Sequence, residues 1–369
     1  MGSSQNAKDN AIQLQANTIN LGLTEKEVRE MMLDEGKRIL SESKLIASDV
    51  AFERINNYID TLIPRLVKSE VIQAFSDPAI QVLLNKTERT AICTSRKSDY
   101  EMLSELLINR VRKDNDYVIK AATNKAVEII EDISEEALLG ITLLFAIQNL
   151  VPEAGISNVG LNVLDSLYGK LINIDNLPAG QYWVENLELV QAIRIIPFSV
   201  ASKFNEMLFK KLEGYFMDGI DNNSEQYKKT IKKLNDAHLP TNLLIKNPYL
   251  DDYSLLAVSG EDSISKIKIS RIMPNQEVID FNLTDTQINL LKEIYNSYEK
   301  NPNNINTIKN KYNEQLKEYS NLEKISLWWD NNVANKLNIQ LTPVGTILAQ
   351  VNAKRLDDRV PSLNQWSSW

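Results

Sequence analysis

The chain has 369 residues, 43 % hydrophobic and 24 % charged, with a formal net charge of -8, the make-up of a globular protein with room for two domains. The acidic balance works against wholesale nucleic-acid binding, which needs a basic surface or patch. A single cysteine, Cys93, and a single histidine, His238, exclude an intrachain disulfide and nearly exclude zinc sites of the usual kinds.

Residues 1–10 are small and polar without period, which predicts disorder. Ile12, Leu14 and Ala16 then alternate with Gln13, Gln15 and Asn17, and Ile19 and Leu21 resume the alternation one residue out of step. Period two predicts a strand with one apolar face, and the shift near Asn17-Thr18 predicts a bulge or turn. No pairing partner lies nearby in sequence, and an unpaired strand invites association. Residues 1–22 therefore read as a disordered start and a β-strand joining element, with Ile12, Leu14, Ile19 and Leu21 as its oligomerisation residues.

Thr24 and Glu27 form a capping box, in which each side chain satisfies the other's backbone N–H. Apolar residues at helical spacing run on to about Pro64, predicting one long or kinked helix. Asp77-Pro78, Ser98 with Glu101, and Ser134-Glu135-Glu136 mark three later helix starts. The stretch "ALLGITLLFAIQNLV", 137–151, is too short to span a bilayer and reads as a buried helix. Further helices are predicted at 158–172, 181–193 and 197–217. Residues 23–220 thus form an all-helical domain.

From 221 to 356 the pattern becomes α+β. "YSLLAVS", 253–259, and "SISKIKISRI", 263–272, flank Gly260-Glu261-Asp262 and predict a β-hairpin with one basic face. Helices are predicted at 285–299, 304–319 and 322–336, then a short strand, "NIQLT", and a last helix opened by Thr342-Pro343. Residues 357–369 lack period and read as an extended tail. The fold class is mainly α, with a smaller α+β domain that is winged-helix-like.

Chemistry is defined mostly by exclusion. No phosphate-loop, dinucleotide, nucleophile-elbow or zincin motif occurs. His238 has no marked nucleophile in its context, and Cys93 falls on the apolar side of a helix, so both read as structural. Glu135-Glu136 complement a helix dipole, and Asp251-Asp252 lie in a loop. No catalytic, metal or cofactor residue is assigned, and a non-enzymatic role follows. Lys229 and Lys232 in "YKKTIKKL", with Lys266 and Lys268 on the predicted hairpin, are candidate nucleic-acid contacts if the region is a winged helix. Of Trp328 and Trp329 one is expected in the core, because neighbours on a helix face different ways. Trp366 and Trp369, in a polar tail, are candidate anchors for a protein partner.

The segment "INLGLTEKEVREMMLDEGKRIL" resembles the opening of an uncharacterised bacterial family, in which a strand leads into G-[LM]-[ST]-x-x-E-V-[RK] and a long helix. "SDPAIQVLL", "SDYEMLSELLINRV" and "LTPVGTILAQVNAKR" resemble it as well, so the likeness runs from about residue 12 to 355. The chain departs from it at "MMLDEGKRIL", where an aromatic segment is usual. The resemblance implies a soluble bacterial protein, and similar openings occur in proteins of antiviral defence loci. It implies no catalytic residue. The sequence thus leads to a cytoplasmic homo-oligomer acting as a sensor, adaptor or scaffold through assembly or partner recruitment, plausibly in anti-phage defence. Nucleic-acid binding and membrane-surface binding are the alternatives.

Overall fold

The computed structural model describes residues 24–41, 45–112, 116–172, 177–272 and 278–362. It divides into two compact units, Met1–Glu131 and Asp132–Trp369. The chain is mainly helical, with three small antiparallel sheets among the described residues.

The first unit opens at the expected capping box. Thr24 N–H donates to Glu27 Oε2 at 2.8 Å and Glu27 N–H to Thr24 Oγ1 at 3.2 Å. Two helices follow in place of one, α1 (Glu25–Ser41) and α2 (Leu45–Lys68), with Pro64 inside α2 near its end. Asp77 caps α3 (Pro78–Cys93), accepting the Ala79 N–H at 2.8 Å. Asp99 anchors the first turn of α4 (Lys97–Arg112), which also contains Ser98. The fully buried Asp99 carboxylate accepts from Thr94 Oγ1 at 2.6 Å and from Arg96 Nε at 2.8 Å. Asp116 caps α5 (Tyr117–Ile129). Helix α2 packs against α1, α3 and α4, and α5 closes over α3 and α4. Leu62, Leu66, Phe75, Leu103 and Leu106 are fully buried between them. Cys93 is the exposed last residue of α3, not a core residue, because Thr90, Ala91 and Thr94 take the buried side of that last turn.

The second unit is built on two helices buried nearly all round, α6 (Glu135–Asn149) and, far along the chain, the helix Pro343–Leu356. Ser134 caps α6 through the Ala137 N–H, as the sequence predicts. Then come α7 (Ser157–Leu171) and a short α8 (Tyr182–Leu189). The predicted 181–193 helix stops early at a Schellman turn: Ala192 N–H reaches Leu187 O at 2.8 Å and Gln191 N–H reaches Glu188 O at 2.9 Å. Gln191 takes the left-handed position there, with φ 59°. Strand β1 (Ile193–Ile195) follows, then a loop, then α9 (Phe204–Lys211), much shorter than the helix predicted over 197–217.

Next stand β2 (Ile220–Asp221), α10 (Glu225–Asp236), β3 (Leu244–Lys246) and β4 (Tyr253–Leu256). The predicted pairing of 253–259 with 263–272 does not form. Strand β4 is central in a sheet of order β2-β4-β3 and has no free edge to offer. The intervening Glu261–Lys266 winds into a 3-10 turn in which Ser263 Oγ bonds both backbone groups of Gly260. Such local bonds compete with a ladder. The hairpin of this region is β5 (Lys268–Ile272) with β6 (Val278–Asn282), in the register Lys268↔Asn282.

Helix α11 (Asp285–Asn296) begins at a capping box, Thr284 with Gln287, inside the helix predicted over 285–299. It shares a core with α10 and the sheet that gathers Ile220, Leu234, Leu255, Ile264 and Leu291. Helices α12 (Pro302–Gln315) and α13 (Ser320–Asn332), strand β7 (Ile339–Leu341) and α14 (Pro343–Leu356) complete the unit. Strand β7 pairs with β1, Ile193 opposite Leu341. Asn352 Nδ2 donates to Thr142 Oγ1 at 2.9 Å, joining α14 to α6 inside the core. Both Trp328 and Trp329 are buried, where one was expected outside. Helix α13 is covered on two sides: Trp328 lies against Trp183 of α8, and Trp329 Nε1 donates to Ser202 O at 2.9 Å. Beyond α14 the fully buried Asp357 carboxylate bonds Arg359 and Lys170 of α7, tying the described start of the tail to the unit. Among the described residues no helix is long and apolar enough to cross a membrane.

Burial strongly perturbs two ionisable groups, Lys211 and Glu88. Lys211 ends α9 and donates to Ile147 O at 2.8 Å and Leu150 O at 2.9 Å, capping the negative end of α6. Burial pulls its ammonium down to about 7. In the first unit, Glu88 of α3 is fully buried and neither carboxyl oxygen has a hydrogen-bond partner among the described residues. Burial pushes it up to about 8, and the Glu35 charge adds to the rise.

The unfolded chain ionises Glu88 near ~4.3, whereas the folded chain keeps its proton to about 8. Between those values the folded state holds more protons, so this group's contribution to stability falls as pH rises, by at most about 1.4 kcal/mol per pH unit. Glu88→Gln is expected to remove that slope. In urea unfolding its midpoint should exceed the parent's near pH ~8 and approach it near pH ~5. Parallel pH profiles for the two proteins would contradict the reading.

Candidate functional site

The residues singled out in the sequence fall into three groups. Ile12, Leu14, Ile19 and Leu21 of the joining strand, and Trp366 and Trp369 of the tail, lie outside the described residues. The four lysines are described. Ser224 caps α10 through the Tyr227 N–H at 3.1 Å, and Thr230 and Leu234 bury one face. That leaves Lys228, Lys229, Lys232 and Lys233 exposed. Lys228 pairs with Glu225 at 2.7 Å and Lys233 with Glu293 of α11 at 2.6 Å. Lys229 and Lys232 have no ion pair among the described residues. Lys268 lines a hollow with His238 and Leu243, while Lys266 lines another with Pro152 and Arg359. The four lysines do not converge on one groove. His238 has a structural role: it takes the left-handed position, φ 55°, at a Schellman end of α10, where Leu239 N–H reaches Leu234 O at 2.9 Å.

Around β1 the chain exposes an apolar group that periodicity did not single out. Tyr182 and Leu189 are 83 % and 82 % exposed, and Phe198 is fully exposed, with Val200 half exposed nearby. Their placement follows from what holds α8. Trp183, Val184 and Leu187 bury its inner face. The Trp183 indole lies so close on Gly140 of α6 that a Cβ there would come within 2.4 Å of it. Trp183 also meets Trp328 at 6.0 Å between ring centroids, and Trp328 Nε1 donates to Pro178 O at 2.7 Å. With that face fixed, Tyr182 and Leu189, two turns apart on the helix, share the outer one.

Phe198 crowns the loop between β1 and α9. The loop is tied at both ends to the segment before β7: Ile196 N–H donates to Asn338 O at 2.8 Å and Ala201 N–H to Leu337 O at 3.0 Å. Asn338 Nδ2 holds Ser199 Oγ at 2.8 Å between them. Phe198 has φ 60°, a conformation costly for a bulky residue, by about 1–3 kcal/mol. The ring is thus held in solvent on strained backbone. Among the described residues no three of His, Cys, Asp and Glu come together as a metal site.

Glycine relieves the strain at position 198. Phe198→Gly is therefore expected to leave the urea midpoint unchanged or to raise it, by up to ~1 kcal/mol in stability. A loss of ~1 kcal/mol or more would show that the ring is packed in the isolated protein and not presented by it.

A family model matches residues 22–367 and describes a poorly characterised family, with no activity named. Neither a curated protein nor a solved structure matches the chain. Since the match runs from just before the first capping box to beyond α14, the chain belongs to that poorly characterised family.

Proposed function

We propose that this protein is a non-enzymatic homo-oligomer, a sensor, adaptor or scaffold that acts in the cytoplasm by assembling with further copies and recruiting a protein partner. The observation that carries the reading is the exposed set Tyr182, Leu189 and Phe198, held outward by a buried and rigid support. Covering such side chains yields about 1.5–3 kcal/mol each before the cost of association. The apolar alternation of Ile12, Leu14, Ile19 and Leu21 supports the same reading, since a strand with no local partner is completed by pairing with another chain. Trp366 and Trp369 are the proposed partner anchors. The resemblance of the opening segment to proteins of antiviral defence loci supports a role in anti-phage defence.

Light scattering on the full chain is expected to give a multiple of the monomer mass of 41.9 kDa. A chain beginning at Gly22, and separately the triple change Tyr182→Ser, Leu189→Ser, Phe198→Gly, are each expected to reduce that mass. A full chain that is already monomeric at high concentration would contradict the reading.

A nucleic-acid role is the second reading, favoured by the two unpaired lysines Lys229 and Lys232 and by the exposed Lys266 and Lys268 near them in sequence. It expects binding at low salt that weakens steeply with added salt and falls when all four become Gln. No binding of duplex DNA or single-stranded RNA at low salt would remove it.

A further inference from the structure

The hollow that Lys266 and Arg359 share lies within the larger unit and is independent of the apolar surface around β1. It measures about 660 Å³, within the ~300–1,000 Å³ of sites that hold a drug-sized group. Its lining is largely apolar. Leu164, Leu167 and Val360 contribute from buried positions, Val163 from a half-buried one and Val151 from a half-exposed one. Val159, one turn before Val163 on α7 and half exposed, extends the apolar strip. The charged groups are of both signs, Lys266 and Arg359 with Glu153. Arg359 is committed to Asp357 and Ser166, whereas Lys266 has no ion pair among the described residues.

The chain reaches this hollow just before residue 363. Val360 N–H donates to Asp357 O at 3.0 Å, Gln350 Nε2 donates to Pro361 O, and Pro361 itself lines the hollow. Residues 363–369, "LNQWSSW", follow at once and lie outside the described residues. That segment carries no charge, so a lining of mixed sign does not select against it, and Leu363 and Trp366 supply apolar groups to cover the strip. Trp366 stands five residues past Pro361, at most ~18 Å along an extended chain. A tether this short holds the indole at the hollow at an effective concentration in the millimolar range, above that of a free partner of equal affinity. Lys266 offers a cation to the ring face, and an indole is the aromatic that cations prefer.

We propose that the hollow lined by Val151, Val163, Leu164 and Leu167 is the seat of the chain's own segment 363–366, with the Trp366 indole covering the apolar strip of α7. The seat is intramolecular. A protein partner anchored on Trp366 must first displace it, a consequence that rests on the partner reading above, whereas the seat itself does not.

Fluorine NMR of the full chain labelled with fluorotryptophan tests this. Of the five tryptophan signals, that of Trp366 is assigned by its loss in Trp366→Phe. Its burial is read from the change in shift between light and heavy water, and a synthetic peptide of residues 360–369 gives the value for a free indole. In the parent, Trp366 is expected to lose most of that isotope shift at every protein concentration. Val163→Glu puts a charge into the apolar strip and is expected to return Trp366 to the free value, with the buried Trp183 and Trp329 signals unmoved. Should Val163→Glu fail to fold, Val151→Glu, at a position already half exposed, decides on the same criterion. A full isotope shift in the parent, or a Trp366 signal that the folded variant leaves in place, would overturn the proposal. Mass measured on the same samples separates the seat from the assembly reading. Protection of Trp366 in a monomeric sample supports the seat while contradicting assembly. Protection that appears only as the mass rises puts the tail on another copy and overturns the intramolecular seat.

Discussion

The larger unit depends on a contact that only a glycine allows. Gly140 stands in the middle of α6, which is buried nearly all round, and the Trp183 indole lies directly on its backbone. An added methyl would collide with the ring, so α8 would have to shift. Because Trp183 also leans on Trp328, the same contact fixes α13, whose Trp329 reaches the loop before α9. The outer face of α8 follows from it, and a separate set of backbone bonds places the loop beyond β1. With the inner face of α8 committed, Tyr182 and Leu189 have only solvent to face, and the loop bearing Phe198 is pinned to the segment before β7.

Buried carboxylates without partners occur in both units, and their surroundings give them different meanings. Glu88 lies among apolar helices, with burial and the Glu35 charge both favouring the protonated acid. A neutral carboxyl is the least costly state there, and the result is a core whose stability falls as pH rises. Asp218 has one oxygen engaged by the head of α12 and the other buried without a donor among the described residues. Asp357, equally buried, shows the resolved alternative, since Arg359 and Lys170 hold it.

Much of the helical framework was legible because its signals are local. The Thr24/Glu27 and Thr284/Gln287 boxes, the Asp77 and Ser134 caps and the Thr342-Pro343 start are short-range bonds written in adjacent residues. What was misread depends on partners far along the chain. Residue 193 reads as the end of a helix until Ile339–Leu341 is present to pair with Ile193–Ile195. The 253–259 segment looks like half a hairpin until β2 and β3 occupy both its edges. The candidate sites were less legible still. Glu88 in "NKTERT" and Asp218 in "MDGID" are ordinary acidic residues by sequence, and only burial distinguishes them. Phe198 was hidden for the opposite reason, because an isolated apolar residue in a sequence implies burial and this one has none.

If Tyr182, Leu189 and Phe198 are covered when copies assemble, the backbone around them becomes protected as association proceeds. Hydrogen–deuterium exchange of the full chain at increasing protein concentration measures this directly. Exchange across residues 181–203 is expected to slow with concentration, while the loop between β3 and β4 keeps its rate. Exchange across 181–203 that is independent of concentration, in a sample whose mass shows it to be oligomeric, would place the assembly surface elsewhere and contradict the account.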